Sequence, residues 1–339
     1  MRIDSLSDFV SDIFFKLGVP PDSAHTVAEA VVAADMEGIP SHGVMLVPMY
    51  VERMLAGSVS TRTEPSVVHD GGSALVLDAG NALGQLTSDW AIPMVIERGR
   101  EHGLAAVAVR NGFHFGTAGY WARQIAEAGL AGIVMCNTRP LMPAPGGAER
   151  VVGNNPVAIA LPGNFIVDMA TSATAMGRIR LAESAGKPIP EGWAADAEGS
   201  PTTNPAAAIA GMLLPAAGPK GFGLAVAIDL LCGGLSGGAI GYEVAPLYGD
   251  PAKPYRCSHL FMAIDPARFG VSDLPGRVAK FATRIRASKR APGAERVYAP
   301  GDLERARRAE NAAECPLPPD VLAKLKECAA KVGVEKELV

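Results

Sequence analysis

Apolar and polar positions divide this chain into three textures. Residues 5–18, SLSDFVSDIFFKLG, put their apolar side chains at helical spacing and stop at Gly18. PPDSAHTVAEAVVAADMEG, residues 20–38, predicts a second helix with Asp22 as its N-cap and Gly38 at its end. His25 falls inside that helix, in a structural or exposed role. GVMLVPMYVERMLAG, residues 43–57, predicts a third, closed by Gly57. From residue 72 the strand-like runs SALVLDAG, LAAVAVR and LAGIVMCN alternate with the helical runs GQLTSDWAIPMVIERGREHG and GTAGYWARQIAEAG. Such alternation predicts an α/β core. VAIALPG and NFIVDMA read as a hairpin, so the sheet need not be wholly parallel. A long helix (GPKGFGLAVAIDLLCGGLSGG), a strand (SHLFMAIDP) and three further helical runs complete the chain. The expected division is a discontinuous helical domain, residues 1–71 with 285–339, around an α/β domain of residues 72–284.

Composition narrows the function classes. A chain of 339 residues with 48% hydrophobic and 19% charged content is long enough for about two packed domains, and is not a disordered chain. A net charge of −4 with no basic tract argues against a nucleic-acid partner. No apolar run reaches the roughly 20 residues of a membrane helix, and the longest candidate is interrupted by Asp229 and glycines. The first residues carry acids and lack an apolar signal core. Cys136, Cys232, Cys257, Cys315 and Cys328 are odd in number and form neither CxxC nor a zinc spacing. They read as free thiols of a cytoplasmic protein.

Local motifs leave the chemistry open. Neither GxGxxG after the first α/β strand nor a P-loop is present. GPKGFG either brings backbone amides and Lys220 to a phosphate or is a tight helix start that needs glycine. His114, in NGFHFGTAGY, follows a strand at the end where α/β sheets bind ligands, and otherwise reads as a cap or loop residue. Ser41 and His42, in SHG beside Pro40, serve as cap, core or chemistry. A hydrolytic pair is disfavoured, because adjacent side chains rarely face each other and no GxSxG elbow exists. His42, His114 and His259 show no i, i+4 ligand spacing, so no metal is expected.

Taken in order, the stretches SHGVMLVPMYVERMLAG, NGFHFGTAGYWA, NTRPLMPAPGG, VVGNNPVAIALPG, IVDMATSATAMGRIRLA, GPKGFGLAVAIDLLCGGLSGG and HLFMAIDP resemble the type 2 malate/L-lactate dehydrogenase family, from about residue 1 to about residue 330. The resemblance implies an NAD(P)-dependent oxidoreductase of mixed α/β (α+β) class. It further implies a non-Rossmann cofactor domain built on a mostly antiparallel mixed sheet, a discontinuous helical domain and a homodimer. The implied reaction interconverts 2-oxo and 2-hydroxy acids. The alternative, found in some branches, is reduction of cyclic imino acids such as Δ1-piperideine- or pyrroline-2-carboxylate. A silent ligand-binding relative is a remote third reading, disfavoured by the presence of both histidines. A histidine suits proton transfer because it titrates near neutral pH.

By this resemblance His42 is the favoured acid/base, with Ser41 bonded to it or to substrate. His114 is the competitor for proton transfer, and Tyr50 lies near the substrate. Asp168, Met169, Ala170, Thr171, Ser172 and Thr174 correspond to a dinucleotide-contact segment, Lys220 and Gly221 to a second, and Pro300 and Gly301 to a third. Arg178 stands where relatives often carry lysine, and either favours a 2′-phosphate or is solvated charge, leaving NAD or NADP open. One departure stands out. Many relatives carry arginine four residues after the histidine of SHG, to clamp the substrate carboxylate, and this chain has Leu46. A carboxylate needs a cation in an apolar pocket, so Arg139 and Arg53 become the candidates. The change points away from malate and lactate themselves.

Overall fold

The computed structural model describes residues 1–336 and 338. Three helices open the chain, α1 (Ile3–Lys16), α2 (Pro21–Met36) and α3 (Val47–Leu55), with 3₁₀ turns at Pro40–His42 and Val44–Leu46 between the last two. In α1 the buried residues Leu6, Phe9, Val10, Ile13 and Phe14 share one face, as their spacing requires. The expected cap on α2 is corrected: Pro20 is the N-cap and Pro21 opens the helix, leaving Asp22 within the first turn. Proline's fixed φ and missing donor suit that first position, where the N–H would be unsatisfied anyway.

The sheet region begins with β1 (Ser66–Asp70), β2 (Ala74–Asp78), α4 (Gly84–His102), β3 (Leu104–Gly112), α5 (Ala118–Glu127) and β4 (Ala131–Cys136). Short strands β5 (Met142–Pro143) and β6 (Arg150–Val152) precede the hairpin of β7 (Val157–Leu161) and β8 (Phe165–Met169). An excursion follows, with α6 (Met176–Ser184), β9 (Ala194–Ala195), β10 (Pro201–Thr202), α7 (Pro205–Ala210) and β11 (Met212–Leu213). Helix α8 (Pro219–Asp229) continues into a π turn at Leu230–Gly234. Strand β12 (Cys257–Ile264) then leads to α9 (Leu274–Arg286), α10 (Asp302–Glu310) and α11 (Pro319–Lys331).

The main sheet runs in the order β1-β2-β3-β12-β4-β7-β8. Its β2–β3 pair is parallel and its other neighbours are antiparallel, which is the mixed, mostly antiparallel sheet expected from the family. Strand β1 was not anticipated. All five of its residues are exposed, so it carries no buried alternation to read.

Strand β12 inserts between β3 and β4, antiparallel to both. Cys257 therefore lies opposite Gly112, and His259 opposite Cys136. The carboxyl ends of β3 and β4 and the start of β12 share one edge of the sheet. Helices α4 and α5 cover one face, with Ile92, Val95, Trp121 and Ile125 against Val107, Val134 and Phe261. On the opposite face α8 and its π turn place Ile228 and Cys232 against Met135 and Leu260. A separate core joins α1, α2 and α3 to α11, bringing Leu325 and Cys328 among Leu6, Phe9 and Val31. Among the described residues no helix is long and apolar enough to cross a membrane.

Candidate active site

Two histidines meet beyond the end of β3. The strand delivers Phe113 and His114, and the 3₁₀ turn Pro40–His42 delivers His42. Their rings stack with centroids 5.4 Å apart and planes inclined by 27°. Each is held at Nδ1. Ser41 Oγ lies 3.0 Å from that of His42, and Tyr50 Oη lies 2.6 Å from that of His114. The Ser41–His42 contact corrects the expectation that adjacent side chains would not meet. The tight turn, closed by Gly43 N–H to the Pro40 carbonyl at 3.0 Å, folds the short hydroxyl back onto the ring. Tyr50 is itself fixed, edge-on to Phe113 with centroids 5.2 Å apart and accepting from Gln85 Nε2–H at 3.3 Å. Burial disfavours the charged imidazoles. It pushes His42 down to about 4, and His114 well below its ordinary value with help from His42 and His259 nearby. Burial thus favours the uncharged ring for both.

Buried contacts set the position of both histidine segments. The Asp35 carboxylate, on the inner face of α2, accepts the Val44 amide at 2.8 Å. A Cβ at Gly43 would overlap that carboxylate, so the SHG turn lies directly on it. At the start of α4, a Cβ on Gly84 would collide with the Phe113 and His114 carbonyls, and this close approach carries Gln85 to Tyr50. Burial raises the Asp35 carboxyl from 3.8 to about 7, opposed by the Val44 amide. The folded state thus binds the extra proton between those values, so this group's stabilisation is present below the unfolded pKa and is lost as pH rises through about 7. Asp35→Asn keeps an acceptor for Val44 and removes that titration. Its advantage over the native chain in urea denaturation is expected to be near zero at low pH. It should grow to on the order of 4 kcal/mol at pH 8. Equal differences at both pH values would refute this.

The two candidate cations separate clearly. Arg53 is 1% exposed and spends its guanidinium on the carbonyls of Pro246 (2.8 Å), Leu247 (3.0 Å) and Lys253 (2.9 Å). It pins the 246–253 loop to α3 and is not available to a substrate. Arg53→Met is expected to destabilise the fold by roughly 3 kcal/mol, because three part-buried carbonyls lose a charged donor. A chemical-denaturation midpoint within error of the native value would refute that role.

Arg139, three residues beyond β4, is half-buried and has no carboxylate partner among the described residues. Burial lowers its guanidinium pKa, and the nearby Arg150 and Arg180 add to the effect. An anion would relieve that repulsion. The loop carrying Arg139 is anchored by buried amides. Asn155 Oδ1 accepts the Thr138 amide at 2.8 Å, and Asn137 donates to Asp229 and to the Ala239 carbonyl, both at 2.8 Å. Tyr255 links the loop to the histidines, since it feels the Arg139 charge and packs edge-on to Phe113 with centroids 6.0 Å apart. Leu46 is 2% exposed within the helical core and brings no charge to this wall.

The segments expected to hold a dinucleotide converge around β8. Asp168 accepts the Gly119 amide at 2.8 Å, which ties β8 to the start of α5, five residues after His114. Met169 and Ala170 lead into Thr171–Thr174, which runs against the 214–216 segment. The Ala173 amide reaches the Leu214 carbonyl at 2.8 Å, and the Ala216 amide reaches the Thr171 carbonyl at 2.9 Å. Ser172 pairs with Pro215, and that segment enters α8 at Gly218, just before Lys220 and Gly221. The loop at Pro300–Gly301 crosses Ile166, and the adjacent Asp302 is gripped by Arg286 at 2.8 Å and by Arg305. Thr171 Oγ1 and Thr174 Oγ1 are buried without a partner among the described residues. Unsatisfied hydroxyls at this spot suit a ribose or phosphate, which would supply their missing hydrogen bonds. Lys220 and Arg178 stand exposed at the first turns of α8 and α6, where free amide donors and a positive charge suit an anion.

His259 is not part of this machinery. It is buried, stacked on Phe115 with centroids 4.4 Å apart, and its Nε2 lies 3.3 Å from Cys257 Sγ. Among the described residues no group of three or more His, Cys, Asp and Glu residues is placed to hold a metal.

Sequence reading had missed Asp35, Gln85, Asn137 and Asn155. Asp35 had a local signal, an acid on the Val31–Val32–Ala34 side of α2, and Gln85 follows the glycine of an α4 start; the asparagine pairings come only with the fold.

A model of the malate/L-lactate dehydrogenase family matches residues 1–326. Malate dehydrogenase of Pyrococcus abyssi is 36% identical over 98% of this chain and 94% of its own length. Ureidoglycolate dehydrogenase (NAD(+)) of Escherichia coli O157:H7 is 36% identical over 92% of this chain and 90% of its own. The solved structure of sulfolactate dehydrogenase from Methanocaldococcus jannaschii superposes with a TM-score of 0.92 at 33% identity, covering 98% of this chain and 97% of that one.

Proposed function

Because the chain belongs to the malate/L-lactate dehydrogenase family, we propose that it moves a hydride between a nicotinamide dinucleotide, NAD or NADP, and a small 2-oxo acid/2-hydroxy acid pair. The observation that carries this reading is the stacked His42–His114 pair, each ring held at Nδ1 by a hydroxyl, and half-buried Arg139 without a carboxylate partner among the described residues supports it. The dinucleotide, when bound, supplies or accepts the hydride. The protein's own residues hold the substrate and handle the proton.

His114 carries the proton to or from the substrate oxygen. This inverts the preference for His42 drawn from the sequence. The argument is orientation: His114 Nδ1 is tied to a fully buried tyrosine, which fixes the ring and leaves Nε2 for the substrate, whereas the Nδ1 of His42 meets an exposed serine. His42, with Ser41 behind it, holds the same oxygen from the other side. Arg139 clamps the carboxylate. Malate, ureidoglycolate and sulfolactate share a hydroxyl on the carbon next to a carboxylate, and that shared unit is what Arg139 and the two histidines address. Leu46 leaves the remaining wall uncharged, which suits a 2-oxo acid with a larger or more apolar tail than lactate or malate. Exposed Leu224, Leu230, Leu231 and Leu235 on α8 and its continuation support self-association as a homodimer, and five buried free thiols support a cytoplasmic setting.

The test is NADH and NADPH oxidation with a panel of 2-oxo acids of increasing side-chain size, with Δ1-piperideine-2-carboxylate alongside. Turnover with one or more 2-oxo acids is expected. Turnover with the cyclic imine alone would replace the reading, and dinucleotide binding without turnover of any substrate would overturn it.

A further inference from the structure

Gln85 has no place in hydride transfer, yet it is fully buried behind the proton-carrying histidine. Its Nε2–H donates to Tyr50 Oη at 3.3 Å, while its Oε1 is buried with no partner among the described residues. Tyr50 Oη in turn lies 2.6 Å from His114 Nδ1, and the Gly116 amide also donates to that nitrogen at 3.3 Å. A nitrogen that receives an amide N–H must present its lone pair. Tyr50 therefore donates as well, and the single proton of neutral His114 sits on Nε2. The chain has one direction: Gln85 N–H to Tyr50 O–H to His114 Nδ1, with Nε2–H turned outward.

That direction cannot persist through a proton-transfer cycle. Neutral imidazole does not give up its last proton near neutral pH, so the acid form of His114 is the imidazolium, with protons on both nitrogens. Nδ1–H must then donate to the Tyr50 oxygen. The phenol proton must turn away from His114 and needs a new acceptor. Leaving it unpaired, or ionising a buried phenol, would be costly. A half-turn of the Gln85 carboxamide brings Oε1, the orphan acceptor, to the place its Nε2 now holds beside Tyr50.

Resting on the reading of His114 as proton carrier, we propose that Gln85 is a positioning residue whose carboxamide turns over to reverse the hydrogen-bond chain whenever His114 gains a proton. In the reductive direction the imidazolium Nε2–H bond breaks and an O–H bond forms on the former carbonyl oxygen. The carbonyl carbon takes the hydride with its electron pair. His114 is left neutral with its proton on Nδ1 donated to Tyr50 Oη, whose own O–H donates to Gln85 Oε1. Solvent then returns a proton to Nε2. The titratable groups facing this chain are His42 on the 3₁₀ turn and His259 on β12, which bear on His114, and Tyr248 and Cys257, which bear on Tyr50. None of them supplies the missing acceptor.

Ring-labelled [15N]histidine NMR on the full-length protein tests this without any substrate. In the native chain the His114 signals should report an Nε2–H tautomer at neutral pH. Gln85→Glu supplies only acceptors, and is expected to raise the His114 pKa by about one unit or more and to shift the neutral ring toward Nδ1–H. Gln85→Met removes the acceptor, and should keep the Nε2–H tautomer while lowering the His114 pKa. Gln85→Asn, with its carboxamide withdrawn, is expected to fall between Met and the native residue. A His114 tautomer and titration unchanged in both Glu and Met variants, each unfolding cooperatively, would overturn the proposal. If the ring signals move as expected but the native protein turns over no 2-oxo acid, the proposal stands and the functional reading falls separately.

Discussion

His114→Asn is expected to lower kcat for 2-oxo acid reduction by roughly 10²- to 10⁴-fold while leaving the dinucleotide dissociation constant unchanged. The range is that of a positioned general acid, and Asn preserves most of the volume beside Tyr50 without supplying a group that titrates. His42→Asn is expected to cost less in kcat and to raise KM, because its assigned task is to hold the oxygen rather than to protonate it. The double variant should fall short of the product of the two single effects. The rings stack at 5.4 Å and, in the proposed roles, address one atom, so removing either already spoils what the other does. Steady-state kinetics with cofactor titration by fluorescence measures all three. A large kcat loss in His42→Asn beside near-native kcat in His114→Asn would reverse the two roles.

Arg139→Met is expected to raise KM for the 2-oxo acid by about 10²-fold with a smaller change in kcat. A charge-assisted pair with a carboxylate in a half-buried site is worth about 2–3 kcal/mol, and Met keeps the apolar stem while deleting the fork. Arg139→Lys should recover only part of the loss, since an ammonium cannot bond both carboxylate oxygens side by side. Fold stability should not suffer, because Arg139 is disfavoured by its burial and by the nearby Arg150 and Arg180, and its removal relieves that in the substrate-free state. A KM within threefold of native would place the carboxylate elsewhere, and Arg150 would be the next residue to test.

What could be read in advance depended on how local the physics was. The α1 face, the α4 and α5 helices and the β7–β8 hairpin follow from spacing within one short window, and each formed where expected. The insertion of β12 between β3 and β4 joins residues more than a hundred positions apart and has no local signature. It nevertheless decides which strand ends meet, and so which loops can share a site. Arg53 shows the limit from the other side. It was readable as a candidate cation, but its place three residues after Tyr50 puts it on the buried face of α3, where its charge serves loop carbonyls. The dinucleotide segments came from resemblance alone. Their meeting depends on the pairing of Ser172 with Pro215, which composition and period do not reveal.

The contact between Gly43 and Asp35 bears on how this sequence can drift. Gly43 sits at φ −91° and ψ −156°, extended backbone open to any residue, so its glycine is not there for flexibility. What forbids a side chain is the carboxylate beneath it. The two positions are therefore a coupled pair in inheritance: alanine at 43 becomes viable only in a lineage that has first shortened residue 35, and such a lineage must find the Val44 amide another acceptor. Descendants that keep the histidine turn should keep both residues or replace them together.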